Sequence, residues 1–158
     1  MGAKSEELAR QLEAKVRDAR ATLERLGDAD WRTVTEAETW PVGVTAHHFA
    51  GAMEPIAHMV EAVVAGQPGH LSRAMIDAMN AAHAQDAAHC TRAETIALLD
   101  RGAAAAAAVI RGLSDEQLAR SGPVLTDAPP MTAEQLITAG LLAHIDEHYG
   151  SIRKTVGH

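Results

Sequence analysis

The hexapeptide AHIDEH, Ala143 to His148, sets two imidazoles four residues apart near the end of the chain. On a helix this spacing stacks both rings on one face, where they can share an ion or a hydrogen-bond partner. At about 100° per residue, with His148 at zero, Ile137, Leu141, His144 and Ile152 fall within roughly 40° and Ile145 at about 60°. Asp146 lies nearly opposite. The pair therefore belongs to the apolar stripe. Imidazole fills a hydrocarbon core poorly, so rings placed there must be hydrogen-bonded or must ligate something.

A second stretch, ETWPVGVTAHHFAG, brings two more. With His48 at zero, Val44, Ala52, Pro55, Met59 and Ala62 fall within about 40°, whereas His47 and His58 lie about 100° and 80° to either side. His48 is the one expected to look into the protein. Three neutral imidazoles from two facing helices suit a divalent transition metal held on one face, with other positions open. The competing reading is three separate core histidines, each bonded to a carbonyl or carboxylate.

Other residues invite chemistry less strongly. HIDEH fits the H-x-x-E-H pattern of zinc peptidases, with Glu147 acting on a zinc-bound water. Such enzymes need a further acidic ligand well beyond the motif, and the sequence stops ten residues later. Glu147 would at best reach the rim of a site. Asp77, Asn80 and His83 share one side of a helical segment and could line a pocket mouth, or form a solvated face. Asn80, His83 and Glu147 are the candidates for catalysis. Neighbouring His89 and Cys90 diverge on a helix and lack a partner pair for zinc. His70 and His158 read as solvent-exposed.

Composition narrows the classes. The chain has 158 residues, 47% of them hydrophobic, and a net charge of −7. That length suits one domain, 1–158, with one core. Only four residues are aromatic, so small and aliphatic side chains must fill the core, which favours helix packed on helix. No basic run or patch is present, which argues against nucleic acid as a partner. The lone Cys90 excludes an internal disulfide and fits a reducing compartment. The charged start MGAKSEELARQ lacks the apolar run of a signal peptide, and no segment approaches a membrane span. A soluble, cytoplasmic protein is expected.

The spacing predicts four main helices. The first starts with Ser5 as N-cap, buries Leu8, Leu12, Val16, Ala19, Leu23 and Leu26, and stops near Gly27. The second runs from about Val42 to Ala65, with Pro41 as its first residue and a kink or break near Gly51 caused by Pro55. Residues 72–89 form a less regular helical connection with Met75, Ile76 and Met79 on its apolar side. The third opens on the Thr91–Glu94 capping box and runs to about Arg111 along Ile96, Leu99, Ala103, Ala106, Ile110 and Leu113. A short helical turn follows Ser114, then a loop. The fourth, about Ala133 to Val156, is capped by Thr132 and Gln135. No strand is expected. The architecture is all-α: a four-helix bundle with an extra helical connection between helices 2 and 3.

These residues resemble a known family. ETWPVGVTAHHFAG is similar to the second-helix signature of DinB-like (YfiT-like) proteins, in which a metal histidine follows a Trp by eight residues; Trp40 plus eight is His48. LLAHIDEHYGSIRK is similar to the family's last helix, whose H-x-x-x-H supplies two further ligands, here His144 and His148. Pro41, Gly43 and Pro55 depart from the usual pattern without removing a ligand. The resemblance implies an up-down-down-up bundle, often a homodimer, with three histidines holding zinc, nickel or a similar ion. It also implies a transferase or isomerase using mycothiol or bacillithiol. The expected activity is transfer of such a thiol to a small electrophile, beside a cation that lowers the thiol's pKa. Alternatives are a hydrolase using activated water, a non-catalytic metal- or ligand-binding protein, and a member that has become a structural module.

Overall fold

The computed structural model of the chain describes residues 2–157; the expectation for His158 lies outside them. Its helices are α1 (Ala3–Arg25), α2 (Asp28–Arg32), α3 (Val42–Val64), α4 (Arg73–Asp86), α5 (Arg92–Arg111) and α6 (Asp115–Ala119). A two-residue antiparallel pair, β1 (Ser121–Gly122) and β2 (Met131–Thr132), leads into the last helical run. That run comprises α7 (Ala133–Gln135), a π-helical segment (Leu136–Leu142) and α8 (Ala143–Val156). Helices α1, α3 and α5 and the run 133–156 form a four-helix bundle of up-down-down-up type. The α4 connection spans the length of the bundle, so that α3 and α5 can run parallel.

The sequence pattern explains most of this. All six seam residues of α1 are buried, and along α5 Leu99, Ala103, Ala106, Ile110 and Leu113 are buried with Ile96 partly covered. Capping boxes at Thr91/Glu94, Ser114/Gln117 and Thr132/Gln135 fix three helix starts. Each satisfies two backbone N–H groups that lack a partner within the helix. Small residues set the spacing between rods. A Cβ on Gly102 would stand 3.0 Å from the Ala50 carbonyl oxygen and 3.3 Å from Met53 Cβ, so α3 and α5 meet almost backbone to backbone. Across the other face, Arg111 reaches from α5 to Glu6 at 3.0 Å and Glu13 at 2.9 Å on α1. Burial of Phe49, Leu12, Leu99, Ile137 and Ile152 supplies the rest, at about 1.5–3 kcal/mol per large side chain.

Several expectations need correction. Gly2 is the N-cap of α1, and Ser5 sits one turn inside, its hydroxyl donating to the Gly2 carbonyl at 2.9 Å. The residues after Gly27 form the additional helix α2. Pro41 is the N-cap of α3 rather than its first residue. Helix α3 runs unbroken through Pro55, whose ring lies on the exposed side. Met75 and Met79 are 48% and 55% exposed. Of the expected three, Ile76 alone is on the covered side of α4, together with Asn80, His83 and Ala84, none of them fully buried. The β pair was invisible to periodicity because each strand is two residues long. The π segment breaks the 3.6-residue phase: Leu136 with Leu141, and Ile137 with Leu142, are buried at five-residue spacing.

Gly102→Val forces branched carbons into the α3–α5 contact. It is expected to lower unfolding free energy by about 1–3 kcal/mol in a denaturant titration; wild-type stability would show that the rods are not in close contact there.

Candidate metal centre

The loop before α3 is tightly wound. The Thr35 N–H donates to the Trp40 carbonyl at 2.8 Å, the Thr39 N–H to the Thr35 carbonyl at 3.1 Å, and the Val42 N–H to the Thr33 carbonyl at 2.8 Å. Thr39 takes a φ of 59°. A β-branched residue in that region costs of order 1–3 kcal/mol, so the surrounding bonds must hold it there. The loop turns Glu38 toward α8 and sets the Trp40 ring edge-on to His48, centroids 5.2 Å apart.

His48 from α3 and His144 and His148 from α8 converge. Each offers one nitrogen such that all three lie within 4.8 Å of one another. Ring centroids are 4.9 Å (His48–His144), 4.7 Å (His48–His148) and 4.5 Å (His144–His148) apart. The Nε2 atoms of His48 and His144 face each other at 3.1 Å. Two nitrogens each about 2.0–2.1 Å from a common ion stand about 3.0–3.4 Å apart, so this separation suits a shared cation.

The third ring shows how the site is oriented. His148 Nδ1 meets Glu38 Oε1 at 2.8 Å, and the Ser151 hydroxyl donates to Glu38 Oε2 at 2.6 Å. With Glu38 ionised, His148 donates from Nδ1 and its Nε2 lone pair is left for a ligand, the arrangement in which a carboxylate steadies a metal-binding histidine. Burial would raise the Glu38 pKa, but hydrogen bonds led by that of Ser151 outweigh it and the carboxyl sits below its ordinary value. The other rings are kept neutral. Burial first, then the neighbouring imidazoles, push His48 down to about 3, and burial with His148 pushes His144 down to about 4. His144 Nδ1 is buried with no hydrogen-bond partner among the described residues. Neutral, crowded, incompletely satisfied nitrogens are a donor set that fits a borderline divalent ion such as zinc or nickel.

The site lies at the edge of the bundle, not at its centre. The core stripe of α3 runs through Ala46, Phe49, Ala50, Met53, Ala57 and Val60, while His48 is half-buried and Pro55 exposed. The wheel centred on His48 was thus turned from the true core direction. Crowding at position 43 by the Trp31 indole explains the glycine there: a Cβ would come within 2.4 Å of that ring, whose N–H donates to the Cys90 carbonyl at 3.0 Å.

Of the remaining candidates, His83 is brought to the site, its ring 5.7 Å from that of His48. Asn80 lies one turn away on the same covered side of α4, and Asp77 is exposed. Glu147 is exposed and faces an outer groove with Glu36, Ser151 and Lys154, away from the three rings. His58, His70 and His89 are exposed. The Cys90 thiol donates to the Gly43 carbonyl at 3.3 Å, and burial raises its pKa. Glu38 was missed by sequence reasoning; the only available signal was an acidic residue two places before Trp40 in a loop expected to lie beside the second helix.

Two measurements follow from this geometry. Glu38→Ala removes the anchor of His148 and is expected to weaken zinc binding roughly 10–100-fold by calorimetry; unchanged affinity would separate Glu38 from the site. In chelator-treated protein, His48 and His144 stay neutral when folded down to about 4 or below, while the unfolded chain protonates them near pH 6.5. The unfolded state therefore binds more protons in between, and stability, fully present above about pH 6.5, falls as pH drops through that window. A His48→Gln, His144→Gln variant should show a flatter fall in Tm; an equal slope would contradict the buried neutral pair.

Comparison with known proteins agrees with the fold. The sequence matches the DinB superfamily over residues 11–152. No curated protein shows a significant match. Among solved structures, YfiT from Bacillus subtilis, described as "a probable metal-dependent hydrolase with an unusual four-helix bundle topology", aligns with a TM-score of 0.77 at 17% identity, covering 99% of this chain and 90% of that one. A variant of mycothiol-dependent maleylpyruvate isomerase aligns at 0.74 and 10% identity over 94% of this chain, which spans 60% of the isomerase chain. An uncharacterized Clostridium difficile 630 protein aligns at 0.73 and 14% identity, covering 98% of this chain and 96% of that one. These likenesses concern the fold. With its three-histidine cluster and matching bundle, the chain belongs to the DinB superfamily.

Proposed function

We propose that this protein is a metal-dependent enzyme that joins a low-molecular-weight thiol of the mycothiol type to a small electrophile. The observation that carries the reading is the convergence of His48, His144 and His148 at the edge of the bundle. Three protein ligands leave a zinc- or nickel-sized ion with room for an exogenous one. When bound, the cation lowers the pKa of a thiol or water beside it. The chain's own residues do the rest. His48, His144 and His148 would hold the ion, Glu38 keeps His148 in the ligating tautomer, and Trp40 covers one side of His48. Asn80 and His83 on the covered side of α4 supply polar groups beside the same cluster, where a substrate's own polar atoms could be oriented. The mycothiol-dependent isomerase that shares the fold supports a thiol as cosubstrate. We place the enzyme in the cytoplasm, acting as a homodimer, with no nucleic acid or membrane partner. Among the described residues no helix is long and apolar enough to cross a membrane.

The description of YfiT favours a second reading, hydrolysis by activated water; a binding protein without turnover is a third. Zinc- or nickel-loaded protein incubated with mycothiol, bacillithiol or glutathione and monochlorobimane separates them. Conjugation faster than with free metal, lost in a His144→Ala, His148→Ala variant, is expected. No acceleration with any of these thiols would contradict thiol transfer.

A further inference from the structure

Next to the three-histidine cluster, and outside it, two more imidazoles meet. His47 Nδ1 from α3 and His83 Nε2 from α4 stand 2.7 Å apart, with ring centroids 5.0 Å apart and planes at 27°. Among the described residues, no carboxylate or backbone group bonds these two atoms. A single shared proton satisfies the two facing nitrogens. It leaves His83 Nδ1, which is buried, points away from the gap and has no hydrogen-bond partner among the described residues. The gap itself therefore holds two nitrogens that share one proton.

Two carboxylates lie near the pair, Glu94 at the start of α5 beside His47 and Asp86 at the end of α4 beside His83, as smaller influences than the burial of both rings. The nitrogens need to separate by only a few tenths of an ångström to reach the roughly 3.0–3.4 Å spacing of two imidazoles on one ion. The helices they join are otherwise loosely connected. No residue of α4 is fully buried, and Met75 and Met79 on its outer side are about half exposed.

We propose that His47 and His83 form a second, weaker site for a divalent transition ion, a clasp of two imidazoles with water completing the shell, which pins α4 against α3 when filled. Imidazole donors select ions such as zinc, nickel, cobalt or copper over magnesium and calcium. The clasp stands beside the primary centre, with the His83 ring 5.7 Å from that of His48, so its occupancy would fix the helix that carries Asn80 and His83 over the cluster. It does not depend on the chemistry proposed for that cluster, only on these two side chains.

Zinc titration of the full chain, followed by calorimetry and elemental analysis, tests it together with hydrogen exchange of α4. Wild type is expected to take one tight and one weaker equivalent, and filling the second should slow exchange of the α4 amides. His83→Gln and His47→Gln, on separate helices, should each abolish the weaker equivalent and the added protection while the tight one remains. Gln can still hydrogen-bond across the gap, so survival of the α4 protection in either variant would mark a plain hydrogen bond and overturn the clasp. So would a single equivalent in wild type, or a second one that persists in both variants. A His144→Ala, His148→Ala protein should lose the tight equivalent and keep the weaker one, so failure of the primary centre reads out separately.

Discussion

Glu38 and His148 are both withdrawn from water, with side chains 8% and 11% exposed, and they face each other at 2.8 Å. Neither would be tolerated there alone. An isolated buried carboxylate would shift toward its neutral form, and an unpaired imidazole would leave a polar nitrogen unsatisfied. Together, with Ser151 closing the second carboxylate oxygen, they fix which nitrogen of His148 carries the proton. That choice aims the other nitrogen at His48 and His144. The tight loop with its left-handed Thr39, the edge-on Trp40 and the register of α8 all serve the same placement.

The bundle supplies the rigidity this needs. Small residues let α3 and α5 approach closely, and Arg111 ties α5 to two carboxylates of α1. On the opposite side Lys15 of α1 meets Asp146 of α8 at 2.7 Å, so the residue between the two α8 histidines is tethered outward while the rings point inward. The π segment matters for the same reason. One extra residue per turn rotates everything that follows, so His144 and His148 owe their direction to the irregular stretch just before them.

Much of this was legible in the sequence. The α1 and α5 seams, the capping boxes and the i, i+4 pair in the last helix all rest on local rules, and the DinB-like motifs joined them to one family. What escaped depends on contacts distant in sequence. Of the three apolar residues of helix α4 that read as a buried side, only Ile76 is covered, and Asn80 and His83 join it where His47 and His83 meet. Glu38 lies in a loop, where no periodicity marks an inward residue, and its role exists only once α8 is packed beside it. The wheel for α3 assumed that a ligating histidine must sit in the middle of the apolar stripe. A site at the edge of the stripe brings the same three nitrogens together.

Anomalous diffraction from crystals grown with zinc addresses the central claim most directly. The account predicts that the strongest metal peak lies about 2.0–2.2 Å from one nitrogen of each of His48, His144 and His148, with the Glu38 carboxylate still on the far nitrogen of His148. A strongest peak elsewhere, or three rings bonded only to one another and to Glu38 at saturating zinc, would contradict it.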